Sequence, residues 1–248
     1  MADYAKWLGA GLGWAFGGPI GAIIGLFLGS AVDSAKKDQK KISYNSKRKK
    51  TKVDNTQPGD FELSFLILSA VIIKADGKVL KSELNYVRKY FIDMYGSKRA
   101  ENAFKLFNGI LKKKISTPKV CAQIREHMGH SSRLQLIHFL FGIAKADNEV
   151  HLKEIEEIKK ISGYLYVSDK DFESIKAMFY NEEFNAYKIL EISNTVTDNE
   201  VKKAYRKMVK KHHPDKLKHL GSEHIKGAEE KFRQIQKAYE FIQKERGL

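Results

Sequence analysis

The sequence predicts an all-α protein with an N-terminal transmembrane helix, a helical bundle and a C-terminal helical hairpin. Three observations indicate this fold class. An uncharged, apolar stretch runs from Leu8 to Val32, long enough for a membrane-spanning helix. Residues 61–181 show one helical pattern after another, and a basic amphipathic helix from Val201 is followed by a second one after residue 222. We place the boundaries at residues 1–35 for the membrane segment, 36–59 for a basic linker, 60–181 for the bundle and 184–248 for the hairpin.

The charge and cysteine content narrow the class of protein. The formal net charge of the chain is +15, which favours acidic partners such as nucleic acid, anionic lipid or an acidic protein surface. A single cysteine, Cys121, excludes a disulfide within the chain and fits a reducing cytosol. His212 and His213 have no cysteine or carboxylate cluster at ligand spacing nearby, so we expect no metal there.

The N-terminal segment has the length and pattern of a self-associating membrane helix. As a helix it would be roughly 37 Å long, against about 30 Å for the hydrocarbon core of a bilayer. Small residues four apart let helices pack closely in lipid, so we expect a homodimer. The glycines in this row are Gly9, Gly13, Gly17, Gly21, Gly25 and Gly29. Pro19 either kinks this helix or divides it into two membrane-dipping helices, and a cleaved signal peptide ending at Gly29-Ser30-Ala31 is a third possibility.

The linker that follows is strongly basic. Residues 36–52 contain nine lysines and arginines, and Asp38 is the one acid among them. The positive-inside rule predicts a single-pass protein of the bacterial inner membrane, with its N-terminus outside and its later domains in the cytoplasm. The linker is either solvated or adsorbed on anionic membrane lipid. Nucleic acid is not an expected partner, because Tyr44 is the one aromatic residue in the run.

The bundle is organised around a central helix. Residues 61–73 are apolar nearly all round, which is typical of a helix buried on every side. Ser168, three residues before Asp171, indicates a helix start. The other predicted helices cover 82–95, 98–114, 118–128, 132–146, 151–162 and 169–180.

An internal repeat divides the bundle into two halves. Ile73–Val79 recurs as Ala144–Val150, and each copy places an aspartate in a turn and a glutamate in the helix after it. The repeat predicts two helical hairpins that pack face to face. This pattern resembles the TerB family, a small all-helical domain named for tellurite resistance.

The repeated acids allow two interpretations. Together they could offer four carboxylates to a divalent cation, or they could shape the turns and favour the helix N-termini. We favour the structural role, and we expect no cofactor elsewhere in the chain. The four acids are Asp76, Glu83, Asp147 and Glu154.

The hairpin begins with a clear helix start. Thr197 and Glu200 form a capping box, and the helix runs to His212 because Pro214 disfavours helical geometry at His213. Asp215 then opens a loop over residues 216–221, which we expect to be mobile. Gly227 predicts a frayed start for the last helix.

The motifs of the hairpin resemble the J-domain family of co-chaperones. Tyr205-Arg206-Lys207 leads into His213-Pro214-Asp215, and Phe232-x-x-Ile235-x-x-Ala238-Tyr239 matches the third helix of the family. The resemblance implies a DnaK-type heat-shock chaperone as partner. It assigns partner binding to His213, Pro214, Asp215, Lys202, Lys203, Arg206, Lys207, Lys210 and Lys211. It assigns the J-domain core to Tyr187, Leu190, Val201, Ala204, Tyr205, Met208, Phe232, Ile235, Ala238 and Tyr239.

The order of the three parts resembles the DjlA family of membrane-anchored J-proteins. The resemblance implies a co-chaperone that stimulates a partner ATPase and has no catalytic activity of its own. Two other hypotheses remain open. One is a metal- or stress-sensing membrane adaptor dominated by the TerB-like part, and the other is a basic membrane protein that tethers DNA.

Overall fold

A computed structural model describes residues 58–147, 151–179, 185–220 and 222–248. All regular elements within these ranges are helical, as the sequence predicts. The glycine row at residues 9–29 and the basic linker at residues 36–52 lie outside the described residues. Among the helices of the described ranges, none combines the length and the hydropathy needed to cross a membrane.

Seven helices in the described residues form what we call the first unit. They are α1 (Pro58–Ile73), α2 (Lys81–Tyr95), α3 (Ser97–Leu111), α4 (Thr117–His127), α5 (His130–Ala144), α6 (Leu152–Tyr164) and α7 (Asp169–Ala177). Their ends fall within a few residues of the positions that the sequence predicts. The Ser168 start signal is confirmed, because its hydroxyl accepts the Asp171 N–H at 3.2 Å.

Helices α1 and α5 pack against each other at the centre of the first unit. Both are buried almost all round, which explains why their sequences are apolar on every face. Phe65 of α1 stacks on Phe91 at 5.5 Å between ring centroids and meets Phe139 of α5 edge-on at 5.3 Å. The buried hydroxyls of Ser64 and Ser69 donate to backbone carbonyls one turn earlier, at 2.7 and 2.6 Å, so neither is left unpaired.

The internal repeat corresponds to two helical hairpins, α1–α2 and α5–α6. The first helix of each hairpin packs against the second helix of the other, as a face-to-face arrangement requires. In the turn of the first hairpin, Asp76 accepts the Lys78 N–H at 2.8 Å. Gly77 has φ +86° there, a conformation that glycine adopts without steric cost. Residues 148–150 of the second turn lie outside the described residues.

The second unit contains α8 (Asn185–Ile189), α9 (Asp198–His212), a 3-10 helix (Pro214–Leu220) and α10 (Ser222–Arg246). The capping box is confirmed: Glu200 accepts the Thr197 N–H at 2.8 Å, and the Thr197 hydroxyl accepts the Glu200 N–H at 3.4 Å. Helix α9 ends at His212, and His213 is extended at φ −60° and ψ 131°, as expected for a residue that precedes proline.

Arg246 fastens the end of α10 to the start of the second unit. Its guanidinium donates to the Tyr187 hydroxyl at 3.0 Å and to the carbonyls of Val196 and Asn194 at 2.6 and 2.7 Å. The Tyr187 hydroxyl in turn donates to Glu245 at 2.8 Å. No local pattern predicts this network, because the partners of Arg246 lie about fifty residues earlier in the chain.

The residues after Asp215 connect the two units. The prediction of a mobile loop is wrong for residues 216–220, which form the 3-10 helix. Leu217 and Leu220 belong to the buried core of the first unit. A 3-10 helix has three residues per turn, so leucines three apart point to the same side and both reach that core.

Gly227 is a point of close approach between the units, and α10, for which the sequence predicts a frayed start, is helical from Ser222. A Cβ atom on this residue would lie 3.0 Å from Phe139 Cζ and 3.2 Å from Gln135 Nε2, both on α5. One turn later, the buried Lys231 donates to Gln135 Oε1 at 2.9 Å. Burial lowers the pKa of Lys231 to about 7, because a charged ammonium is poorly solvated there.

Candidate functional site

The His-Pro-Asp motif lies on the surface at the junction of α9 and the 3-10 helix. The His213 and Asp215 side chains are about half exposed, at 47% and 59%. The His213 ring meets Phe232 of α10 edge-on at 5.9 Å between centroids, and His213 Nδ1 accepts the Asp215 N–H at 3.3 Å. These contacts hold the motif in one conformation while they leave the Asp215 carboxylate accessible to a partner.

The Asp215 carboxylate is ionised, and its ion pair with Lys218 is exposed to solvent. Lys218 Nζ lies 2.9 Å from Asp215 Oδ1, and this hydrogen bond lowers the pKa of the carboxyl. Both side chains are mostly exposed, so the pair is screened by water. An arginine from a partner could therefore replace Lys218 and form a stronger, two-pronged contact.

Five cations of α9 form an exposed surface that we call the basic face. They are Lys202, Lys203, Arg206, Lys207 and Lys210. The side of α9 that bears Val201 and Met208 is buried in the core of the second unit. Lys207 lies 3.6 Å from the buried carboxylate of Glu191. The basic face continues directly into the His-Pro-Asp motif and could steer an acidic surface toward Asp215.

Lys211 differs from these five cations, and the prediction that it belongs to the docking surface needs correction. Its ammonium binds Asp171 of the first unit and Glu191 of the second, the latter at 2.5 Å. Its side chain is only 19% exposed. Lys211 therefore joins the two units instead of facing solvent, which a lysine count along α9 cannot reveal.

The predicted J-domain core packs α9 against α10, the two helices that hold the His-Pro-Asp motif. Six of its ten residues are buried, namely Tyr187, Leu190, Val201, Met208, Ile235 and Ala238. The other four, Ala204, Tyr205, Phe232 and Tyr239, are half-buried. Tyr205 and Tyr239 stack at 4.1 Å between ring centroids, which fixes α9 against α10. Ala177 and Met178 at the end of the first unit also belong to this core, and nothing in their local sequence indicates it.

The repeated glutamates meet at the centre of the first unit. Glu83 accepts the Leu80 N–H at 2.9 Å and so caps α2. The carboxyl groups of Glu83 and Glu154 are buried and hydrogen-bonded to each other. Burial first, and then the contact with Glu154, raises the pKa of Glu83 to about 8, so near neutral pH the two acids share one proton. The sequence predicts that each glutamate favours a helix N-terminus, but not that the two carboxyl groups share a hydrogen bond.

We expect Glu83→Gln to stabilise the protein at alkaline pH. Between about pH 4.5 and pH 8, Glu83 is protonated in the folded chain and ionised in the unfolded chain. The folded state therefore loses stability relative to the unfolded state as pH rises through this window. A glutamine amide keeps a donor for Glu154 at every pH. The variant should exceed the wild type in unfolding free energy by on the order of 2 kcal/mol at pH 8.5, and should match it near pH 5.

Thermal unfolding at the two pH values measures this difference. Glu101→Gln is the matched control, because Glu101 is exposed and, among the described residues, its ion pair is with Lys105 at 3.6 Å. We expect this change to alter stability by less than about 0.5 kcal/mol at both pH values. A Glu83→Gln variant that loses stability equally at pH 5 and pH 8.5 would contradict the shared proton.

The divalent-cation hypothesis stays a prediction. Asp76 and Asp147 act electrostatically on Glu154, so the four repeated acids occupy one region of the first unit. Within the ranges that the structure describes, no group of three or more histidine, cysteine or acidic side chains is placed to hold a metal ion. The glutamates are instead occupied by each other and by helix N-termini.

Comparisons with known proteins agree with this arrangement. The DnaJ domain model matches residues 185–247, and the model for tellurite resistance protein TerB matches residues 62–177. Residues 1–41 match the transmembrane domain of co-chaperone DjlA, in support of the predicted membrane anchor. No solved structure matches the chain significantly. The surface-exposed His-Pro-Asp motif on this helical hairpin, together with the DnaJ match, defines a J-domain co-chaperone, a class that implies an Hsp70-type partner.

Similarity over the whole chain identifies the family. A co-chaperone protein DjlA from Haemophilus influenzae is 30% identical, and the match covers 100% of this chain and 99% of that protein. The DjlA proteins of Vibrio vulnificus and Coxiella burnetii are 30% and 28% identical, each over 76% of this chain and 78% of its relative. The chain belongs to the DjlA family of co-chaperones, which confirms the resemblance in the order of its parts.

Proposed function

We propose that this protein stimulates ATP hydrolysis by a DnaK-type heat-shock chaperone at the cytoplasmic face of the bacterial inner membrane. The observation that carries the proposal is the continuity of the exposed basic face of α9 with the exposed, ionised Asp215. A docking surface needs both features: long-range charge to orient the partner and a specific group to engage it.

Binding would proceed in two stages. The basic face attracts an acidic surface of the chaperone, so the association rate falls as salt screens the charges. Asp215 then exchanges Lys218 for a cation of the chaperone, a charge-assisted contact that is sensitive to geometry. If this contact forms better with the hydrolysis-competent state, binding shifts the chaperone population toward that state.

The rigid support of the motif favours this mechanism. Phe232 holds His213, and Leu217 and Leu220 anchor the 3-10 helix in the first unit. A motif fixed before binding loses less conformational entropy when the complex forms. The first unit thus contributes to co-chaperone function by positioning the motif.

We expect Asp215→Asn to abolish stimulation of DnaK-type ATP hydrolysis in a single-turnover assay with the full chain in detergent. Asparagine keeps the shape of the side chain and removes the charge, so the fold should persist while the contact with the partner is lost. Asp93→Asn is the matched control, since Asp93 is an exposed aspartate of α2 far along the chain from the motif. Equal stimulation by the wild type and Asp215→Asn would refute the proposal.

The proposal includes a single-pass topology with the N-terminus outside, and a homodimer formed through the glycine row. The nine cations of residues 36–52 support the topology, and the six glycines support the dimer. Single cysteines introduced on either side of the membrane segment can be labelled to test the topology, and crosslinked to test the dimer. The native Cys121 will not interfere, because it is fully buried and burial raises its pKa to about 12.

A further inference from the structure

A cleft of about 480 Å³ opens between the two units, next to the His-Pro-Asp motif. One wall is the start of α5, and the other is the 3-10 helix. The lining residues are Gly129, His130, Ser131, Ser132, Lys216 and His219. Neither the J-domain mechanism proposed above nor the core of the first unit uses this cleft.

The α5 wall presents the positive end of a helix. Gly129 occupies the N-cap position and has no side chain to accept the first N–H groups. The bonding pattern of α5 begins with the Arg133 N–H, which donates to the Gly129 carbonyl at 3.1 Å. The N–H groups of residues 130–132 precede it and have no acceptor within α5, so they can donate to an anion, and the helix dipole adds to the attraction.

Ser132 gives independent support for a binding site in this cleft. It lines the cleft, yet it is only 1% exposed, and its hydroxyl has no hydrogen-bond partner among the described residues. The other buried serine hydroxyls of helices α1 and α7 are paired: those of Ser64, Ser69 and Ser174 donate to carbonyls at 2.6–2.7 Å. A buried hydroxyl without a hydrogen-bond partner is unusual in a folded protein, and a bound ligand could supply that hydrogen bond.

The opposite wall supplies an ammonium group and an imidazole ring. Lys216 and His219 are exposed on the 3-10 helix, and neither forms an ion pair with any residue that the structure describes. Burial lowers the pKa of His130; the charge of Asp171 acts against this shift, and the positive charges of Arg133, Lys211 and Lys216 lower the pKa further. Several positive groups thus surround this end of α5.

The neighbouring acid, Asp171, offsets these positive charges in part. Asp171 Oδ2 lies 3.8 Å from His130 Nε2. Its carboxylate is already bound by Lys211 and by the Ser168 hydroxyl, the latter at 2.6 Å. The cleft therefore combines N–H donors, hydroxyls and unpaired positive charge, the donor set that a phosphate group prefers.

We propose that this cleft binds a phosphate group, held by the first N–H groups of α5, by the Ser131 and Ser132 hydroxyls, and by Lys216 and His219. Bound phosphate would link the 3-10 helix to α5 and so hold the His-Pro-Asp motif against the first unit. A small phosphate compound and a phospholipid headgroup both offer this chemistry. The inference does not depend on the proposed stimulation of a DnaK-type chaperone.

Two arms of one experiment test the site and separate its possible sources. In the first, inorganic phosphate is titrated into the full chain in neutral, phosphate-free detergent by isothermal titration calorimetry. In the second, the unfolding temperature of the full chain is compared in nanodiscs of phosphatidylcholine with and without phosphatidic acid. Binding in the first arm supports a small phosphate compound, and stabilisation confined to the second supports a lipid headgroup.

Variants tie either signal to the cleft. We expect Lys216→Gln to weaken binding about tenfold, because it removes a charge-assisted contact. Ser132→Ala should also weaken binding but keep the fold, since it deletes a hydroxyl that has no partner in the described structure. Lys237→Gln, an exposed cation of α10 outside the cleft, is the control and should bind as the wild type does. Absence of signal in both arms, or wild-type binding by Ser132→Ala and Lys216→Gln, would overturn the site.

Discussion

Replacing Lys211 by methionine is expected to destabilise the full chain by about 3–5 kcal/mol, whereas the same change at Lys210 should cost less than about 0.5 kcal/mol. The two lysines are neighbours on α9, so helix propensity and charge change equally. They differ in surroundings. Lys211 lies between the buried carboxylates of Asp171 and Glu191, and Lys210 is exposed.

The size of the effect follows from the two carboxylates. Burial alone would raise the pKa of Asp171, but the bonds from Lys211 and Ser168 hold it below the ordinary value. Without Lys211, Asp171 keeps Ser168, and Glu191 keeps Lys207 at 3.6 Å. Neither remaining contact replaces the shared ammonium, so two partly compensated charges stay buried.

Chemical denaturation followed by far-ultraviolet circular dichroism measures both variants, since the described fold is helical. Asp171→Asn in the Lys211→Met background should recover part of the lost stability, because one of the two partly compensated charges disappears. Lys210→Met should keep its stability and lose part of the DnaK stimulation that we propose. Equal stability of Lys210→Met and Lys211→Met would contradict the structural role of Lys211.

Acidification from pH 7 to pH 4.5 is expected to cost the folded chain roughly 2–3 kcal/mol through His138 alone. His138 is buried in α5, and neither ring nitrogen has a hydrogen-bond partner among the described residues. Burial, and then the charge of Lys231, lowers the pKa of His138 to about 3. Between about pH 6.5 and pH 3, His138 is therefore protonated in the unfolded chain and neutral in the folded chain. The free energy of unfolding falls as pH falls through that window.

The effect concerns the contact between the units. His212 of α9 is buried as well, and its pKa is also lowered, first by burial and then by Lys231 and Lys211. Lys231 of α10, which bonds Gln135 of α5, lowers the pKa of both histidines. Two uncharged histidines thus adjoin one buried lysine where the second unit meets α5, and protonation of either histidine opposes that packing.

His138→Leu isolates this contribution, because leucine fills the site without a titrating group. The variant should lose about 2–3 kcal/mol less than the wild type between pH 7 and pH 4.5. Glu83 makes the free energy of unfolding depend on pH in the opposite direction. Because Glu83 is present in both proteins, its contribution cancels when the unfolding free energies of the variant and the wild type are subtracted. Ser132→Ala, a non-titrating change on the same helix, should shift stability by a constant amount at every pH. Parallel pH profiles for the wild type and His138→Leu would show that the histidine does not govern the acid response.

The helices of this protein are predictable from the sequence because their signals are local. The apolar positions of α1, the capping box at Thr197 and Glu200, and the stop before Pro214 each act within one or two turns of the chain. Side chains a few residues apart meet on one helix face whatever the tertiary fold, so these signals can be read without knowing it. The family motif around His213 and Asp215 is local for the same reason.

The contacts between elements were decided only by the tertiary structure. Lys231 donates a hydrogen bond to Gln135, 96 positions earlier in the sequence, and Glu83 contacts Glu154 of the other hairpin. Gly227 lies so close to Phe139 that a Cβ atom on it would be 3.0 Å from the ring. The sequence determined that α9 is basic, and packing determined that Lys211 lies between two carboxylates while its neighbour Lys210 is exposed to solvent. The physical reason is that burial and pairing depend on which surfaces meet, and surfaces that meet at long range leave no periodic pattern along the chain.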